Sequence, residues 1–310
     1  MNGGKLKSLA VNLTLAAVST VVFAGLLELG ARVLGLDAGF FLIPRSTNCL
    51  RRDPLLSMSF RPDCTGDLAG TPIRTNSLGL RGPEPSADGA LRILAAGDSC
   101  TWGWQVKEEQ SYPSLLGRML GDIAVQNTYE VINAGVPGYT SFQGLEYVRE
   151  RGLALKPAVL LVSYGFNDVF PTGDVEVQIA RERKLLPVLV ADDLLLEHSS
   201  LYRWTRWRAE QKASRQREAR VAVGKYRDNL ERLIRMGREH GAKVMLVSFW
   251  GGYVPEQDYR HALLGVAKEN SVPLVTYEGE RIDAVHPTMQ GYEDLAKRIA
   301  NRLVFEAWVQ

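Results

Sequence analysis

Histidine and cysteine are scarce in this chain: its 310 residues include four of the first and three of the second. No cysteine pair has metal-site spacing and no zinc-hydrolase signature occurs, so neither a metal nor a cofactor is expected. The Gly-Lys-Ser/Thr of a P-loop is missing as well. Charge of one sign is also lacking. Lysine plus arginine (37) nearly balances aspartate plus glutamate (35), and a net charge of +2 gives no reason to expect nucleic acid as a partner. Internal repeats and low-complexity tracts are absent, which leaves one domain of ordinary size plus accessory segments. What is present supports a real core, with 45% hydrophobic and 23% charged residues.

The first long apolar run is amino-terminal. Leu9 to Leu27 carries no charge, and the pattern continues to Leu36 with only Glu28 and Arg32 interrupting. About 19 residues at ~1.5 Å rise approaches the ~30 Å hydrocarbon thickness of a bilayer. Lys5 and Lys7 precede the run, which favours an amino terminus left in the cytoplasm. An uncleaved anchor is the preferred reading. A cleaved signal would want a shorter apolar core and a small-x-small site, and a buried core helix would want a polar face before Glu28. Anchor or signal, the rest of the chain is exported to the extracytoplasmic side.

Residues 1–36 are thus read as a membrane anchor and 37–90 as an extended, irregular stalk and collar, rich in proline and glycine. Cys49 and Cys64 lie in it. A bridge between them would add about 3 kcal/mol by loop entropy, and two reduced thiols fit the spacing nearly as well. From Leu91 to Gln310 the rhythm becomes β-α-β. Strands are expected over Arg92–Ala96, Tyr129–Asn133, Ala158–Tyr164, Lys243–Phe249 and Pro273–Tyr277, and their Val, Ile and Leu content suits a parallel sheet covered on both faces. Helices are expected over Ser111–Leu120, Phe142–Gly152, Ala222–His240, Asp258–Glu269 and Gln290–Phe305. An insertion, 169–220, interrupts the rhythm with a helical pattern over Leu185–Leu196 and a basic-aromatic stretch from Tyr202 to Arg208. That stretch reads as a solvated helix or as a patch near lipid headgroups or an anionic polymer.

The chemistry is concentrated at strand ends. Gly97-Asp98-Ser99-Cys100-Thr101-Trp102-Gly103 follows the first strand of the domain, where open α/β sheets place ligand-handling groups. A serine there needs a base, a group to orient the base and donors for an oxyanion. His240 and His261 fall within helical patterns and His198 in the insertion. His286, in Asp283-Ala284-Val285-His286-Pro287, follows the last strand and so shares the rim with Ser99. Asp283 can accept its Nδ1 proton, leaving Nε2 to take one from Ser99. Gly135 after the second strand and Asn167 after the third add an N–H and a carboxamide to the N–H of Ser99 as oxyanion donors. Each signal alone is weak. A turn glycine, a turn asparagine and a structural Asp-x-x-His are the ordinary readings.

Together, Gly97-Asp98-Ser99, Gly135, Gly165-x-Asn167 and Asp283-x-x-His286 resemble the four blocks of the SGNH hydrolases, also called GDSL esterases. Cys100 stands where the namesake tetrapeptide has leucine. The amino-terminal span and the Asn76-x-x-Gly79-x-Arg81 stretch also resemble bacterial membrane-anchored members. The resemblance implies a flavodoxin-like three-layer α/β/α fold with a five-stranded parallel sheet. It also implies a metal-free serine hydrolase with Ser99 as nucleophile, His286 as base, Asp283 orienting it, and Ser99, Gly135 and Asn167 as oxyanion hole.

The expected activity is cleavage of short-chain carboxylic esters, O-acyl groups on a carbohydrate or small molecule, through an acyl-enzyme on Ser99. An O-acyltransferase acting on a cell-envelope glycan uses the same acyl-enzyme. A catalytically silent, membrane-tethered glycan-binding protein is the alternative from another class. The α/β-hydrolase reading fails on Gly-x-Ser-x-Gly, since Thr101 occupies the last place.

Overall fold

The computed structural model describes residues 3–36, 49–68, 70–86, 89–123, 127–185, 192, 194–196, 198–214, 218–249 and 257–309. The chain forms two compact units, Met1–Ile43 with Pro187–Ala213, and Pro44–Leu186 with Ser214–Gln310.

The smaller unit is built on α1 (Gly3–Val33), whose span Lys7–Val33 is long and apolar enough to cross a membrane and is exposed along most of its length, with Ala31 buried near its end. Near its end Glu28 pairs with Arg32 at 2.8 Å. The Glu28 carboxylate also accepts from Ser199 Oγ (2.7 Å) and from the backbone N–H groups of Ser200 and Leu201. These groups open the insertion helix, α6 in chain order (Ser200–Ser214), so an acid on one helix caps the other. Most of the helix expected over Leu185–Leu196 lies outside the described residues.

The larger unit holds the parallel sheet, formed by β5 (Leu91–Gly97), β6 (Tyr129–Gly135), β7 (Val159–Ser163), β8 (Lys243–Ser248) and β9 (Leu274–Thr276). Its order is β6-β5-β7-β8-β9. That is the flavodoxin-like doubly wound arrangement, with the reversal of direction beside β5. Side chains alternate between the faces as the pleat requires. Ile93, Ala95, Val159 and Leu161 join one core, while Leu94, Ala96, Leu160 and Val162 join the other. The first core is closed by α3 (Tyr112–Ile123) and α9 (Met289–Phe305), which bring in Leu116, Leu120, Tyr292, Leu295 and Ile299. The second is closed by α4 (Ser141–Tyr147), α7 (Val223–Glu239) and α8 (Gln257–Glu269), with Leu230, Leu233 and Leu263. Both faces are apolar because both are covered.

Three expectations are corrected. The helix read over Phe142–Gly152 is α4 followed by a wider π-turn, Val148–Gly152. The described part of the segment read as an irregular stalk is folded. It contains two hairpins, β1 (Leu50–Asp53) with β2 (Ser57–Phe60), and β3 (Thr65–Leu68) with β4 (Thr71–Arg74). Cys49 and Cys64 are joined in a disulfide. Leu56, Phe60, Leu68 and Ile73 are buried in the second core, and Phe60 stacks on Trp102. Strands of four residues, each followed by a turn, are too short to show period-two alternation, so the segment reads as irregular. The insertion is split as well: its first helix, α5 (Val175–Lys184), belongs to the larger unit and is capped by Asp174.

Candidate active site

β5 ends at Gly97, where a Cβ would meet the Thr101 side chain and the Ser163 carbonyl. The Asp98 carboxylate then caps α2 (Ser99–Trp102), accepting from Cys100 N at 2.9 Å. Burial pushes Asp98 up to about 7, against the hydrogen bonds that favour its ionised form. α2 lasts one turn and closes on Gly103, whose φ of +94° is the left-handed conformation glycine adopts most readily. Ser99 therefore sits at the carboxyl rim, 8% exposed, with its own N–H in the open first turn of α2.

His286 arrives from the loop between β9 and α9. That loop is folded by Ile282 N–H donating to the His286 carbonyl (2.9 Å), and Thr288 caps the helix that follows through Gly291 N. Asp283 makes the reverse turn rigid: its Oδ1 accepts from Val285 N and His286 N, and its Oδ2 lies 2.7 Å from His286 Nδ1. His286 Nε2 lies 2.7 Å from Ser99 Oγ. Partial burial raises the Asp283 carboxyl, but the two backbone N–H groups and the imidazole outweigh it and hold Asp283 below its ordinary value. An ionised Asp283 accepts a hydrogen bond from Nδ1–H, so Nε2 is the acceptor facing the serine hydroxyl. Burial lowers His286 below its ordinary value, with Asp283 opposing. The neutral imidazole is thus the resting form at neutral pH.

The expected oxyanion donors are near but engaged. Gly135 ends β6 so close to α2 that a Cβ would run into the Trp102 backbone, and its N–H donates to Asn133 Oδ1 at 3.0 Å. Asn167 Nδ2 donates to Asp98 Oδ2 and to the Tyr139 carbonyl, both at 3.1 Å. Cys100 is buried beside Val285, and burial pushes its thiol well up, which makes it an inert packing group. The other histidines, His198, His240 and His261, are exposed, and His240 Nδ1 lies 2.9 Å from its own helix at the Met236 carbonyl.

One contact escaped the sequence reading. The Trp104 indole stacks on the His286 imidazole, centroids 5.5 Å apart and planes at 23°. Its signal, an aromatic five residues past the serine, is not distinguishable from a core tryptophan by spacing alone.

A hydroxyl bonded to an imidazole that is bonded in turn to a carboxylate is the working arrangement of serine hydrolases, here on a three-layer α/β/α frame. The family follows from comparison with known proteins. Residues 95–293, more than half of the chain, match the GDSL-like Lipase/Acylhydrolase family, and the chain belongs to it. It is an ester hydrolase of the serine type. Similar solved structures include a lipase/acylhydrolase from Enterococcus faecalis, at 20% identity and TM-score 0.47, covering 70% of this chain and 96% of that one. Another is a G-D-S-L family putative lipolytic protein from Desulfitobacterium hafniense, at 16% identity and TM-score 0.46, covering 68% and 98%. A third is a variant of an acetyl-xylooligosaccharide esterase from Geobacillus, at 18% identity and TM-score 0.48, covering 72% and 98%. No curated protein matches the sequence.

Proposed function

We propose that the protein hydrolyses short-chain carboxylic esters, O-acyl groups on a carbohydrate or small molecule, through an acyl-enzyme on Ser99. The observation that carries the proposal is the unbroken chain Ser99 Oγ, His286 Nε2, His286 Nδ1, Asp283 Oδ2, with both contacts at 2.7 Å. Ser99 Oγ attacks the acyl carbon while Nε2 takes its proton, and Asp283 steadies the imidazolium that forms. The oxyanion takes the N–H of Ser99 directly. Gly135 N–H and Asn167 Nδ2 then exchange Asn133 Oδ1 and the Tyr139 carbonyl for it, a tightening that apo sites undergo on binding. His286 returns the proton to the departing alcohol oxygen. Water, deprotonated by the same nitrogen, cleaves the acyl-enzyme and releases the carboxylic acid. A short acyl group suits a serine that is 8% exposed beside a base covered by Trp104.

With α1 as anchor and Lys7 before its apolar run, the hydrolase unit stands on the extracytoplasmic side. The disulfide agrees with an oxidising compartment. A fluorophosphonate probe is expected to label the full chain, and Ser99→Ala to abolish both labelling and p-nitrophenyl acetate hydrolysis. Labelling that survives Ser99→Ala would overturn the assignment. Acetate release from an acetylated xylo-oligosaccharide, against transfer of acetyl to added oligosaccharide, then distinguishes hydrolysis from acyl transfer.

A further inference from the structure

We propose that Arg81 is a positioning residue of the ester-hydrolase site: it clamps the Trp102–Val106 loop so that Trp104 stays stacked on the base His286. The proposal rests on the serine reading above. Arg81 lies outside residues 95–293, the stretch that matches the family.

The turn that delivers it is built for the purpose. Asn76 Oδ1 accepts from the N–H groups of Leu78 and Leu80, both at 3.0 Å, which curls the chain tightly. Gly79 adopts φ +73° against the Phe60 carbonyl, where a Cβ would come within 2.8 Å. Arg81 then bridges Asn133 on β6 in antiparallel fashion, and its side chain runs inward to 2% exposure. This accounts for the Asn-x-x-Gly-x-Arg spacing.

Inside, the guanidinium is spent on one loop. Nη1 donates to the carbonyls of Trp102 (2.7 Å) and Gly103 (2.8 Å), and Nη2 donates to that of Val106 (2.8 Å). Its Cζ lies 3.9 Å from the centre of the Trp102 ring. Asn133 Nδ2 reaches the same Trp102 carbonyl at 3.2 Å while its Oδ1 holds the Gly135 N–H. The loop needs holding, because Gly103 and Gln105 both sit at positive φ, +94° and +58°. Burial lowers the Arg81 guanidinium to about 10, with Glu108 and Glu109 opposing it through space, and its Nε has no hydrogen-bond partner among the described residues. A buried cation whose hydrogen bonds go only to backbone carbonyls is a costly way to fill space, and an apolar side chain would pack there more cheaply. An apolar side chain cannot hydrogen-bond the three carbonyls, and a lysine ammonium lacks the rigid fork that divides them between Nη1 and Nη2. Trp104 lies between the clamped ends, and its indole is the lid on the imidazole.

The test uses the full chain in detergent with p-nitrophenyl acetate, following kcat, KM and the acidic limb of kcat/KM. Arg81→Met and Arg81→Lys are expected to lower kcat by about tenfold to a hundredfold at nearly constant KM. The acidic limb should move to higher pH, because an imidazole that loses its cover is better solvated when charged. Trp104→Ala should do the same, and the double variant should be no worse than the worse single one. Leu120→Ala, a core change on α3 matched for loss of Tm, should leave the limb in place. An unmoved limb in Arg81→Met, or effects of Arg81→Met and Trp104→Ala that multiply, would overturn the proposal. Should both Arg81 variants fail to fold, Trp104→Ala decides alone: wild-type kcat and limb in that protein leave the clamp nothing to position. Ser99→Ala run in parallel separates the two claims, since its loss of activity upholds the serine reading whatever Arg81 does.

Discussion

His286 carries two opposed influences, burial that lowers its proton affinity and Asp283 that raises it, with burial the larger. The base role proposed for it requires the neutral form, so activity should rise with pH through a midpoint below the ordinary imidazole value of about 6.5. Replacing Asp283 by Asn removes the raising partner and lets the imidazole carry its proton on Nε2, facing the serine. The expectation is a fall of about 10⁴ in kcat with an unchanged circular dichroism spectrum, and an acidic limb displaced further down. A limb displaced upward would mean that Asp283 is not what faces Nδ1 in solution. This pair was legible in the sequence because three residues of separation allow one turn and the serine block supplied the partner. Arg81 and Trp104 were not. Arg81 stood inside a spacing with no assigned use, and its role depends on carbonyls 21 to 25 residues further on. Asn167 was legible as a strand-end amide, but its grip on Asp98 is a tertiary contact across 69 residues that no local pattern reveals.

Among the elements, the strands of the main sheet declared themselves because burial on both faces leaves runs of Val, Ile and Leu. The collar hairpins did not, since their apolar residues come singly between turns. Their attachment to the domain is nevertheless firm: Gln143 Nε2 donates to the Leu56 carbonyl at 2.7 Å and Tyr139 Oη to that of Met58 at 2.6 Å. The Cys49–Cys64 bridge closes this element over 15 residues. Loop entropy assigns such a bridge about 3 kcal/mol. Replacing both cysteines by serine should therefore lower Tm by roughly 6–12 °C, read by thermal denaturation followed by circular dichroism. A change under about 2 °C would show that the hairpins are held by their core contacts alone.

At the scale of the whole molecule, all residues assigned to catalysis and positioning belong to the unit that begins at Pro44. The stretch matching the family begins only at residue 95, yet Leu50, Leu56, Phe60, Leu68, Ile73 and Leu80 are buried in the core beneath α4 and the sheet. Burying one large apolar side chain is worth about 1.5–3 kcal/mol. Six of them together match the ~5–15 kcal/mol net stability of a typical domain. Two truncations should consequently behave differently. A chain starting at Pro44 loses the apolar helix and should leave the membrane fraction, while hydrolysing p-nitrophenyl acetate with a kcat within about twofold of the full chain. This follows because no group placed at the serine is removed. A chain starting at Leu91 keeps every catalytic residue and every strand of the main sheet, but uncovers one face of its core and loses Arg81. It should be inactive and aggregate, and soluble, active protein from that shorter chain would mean the hairpins are an appendage rather than a wall of the hydrolase.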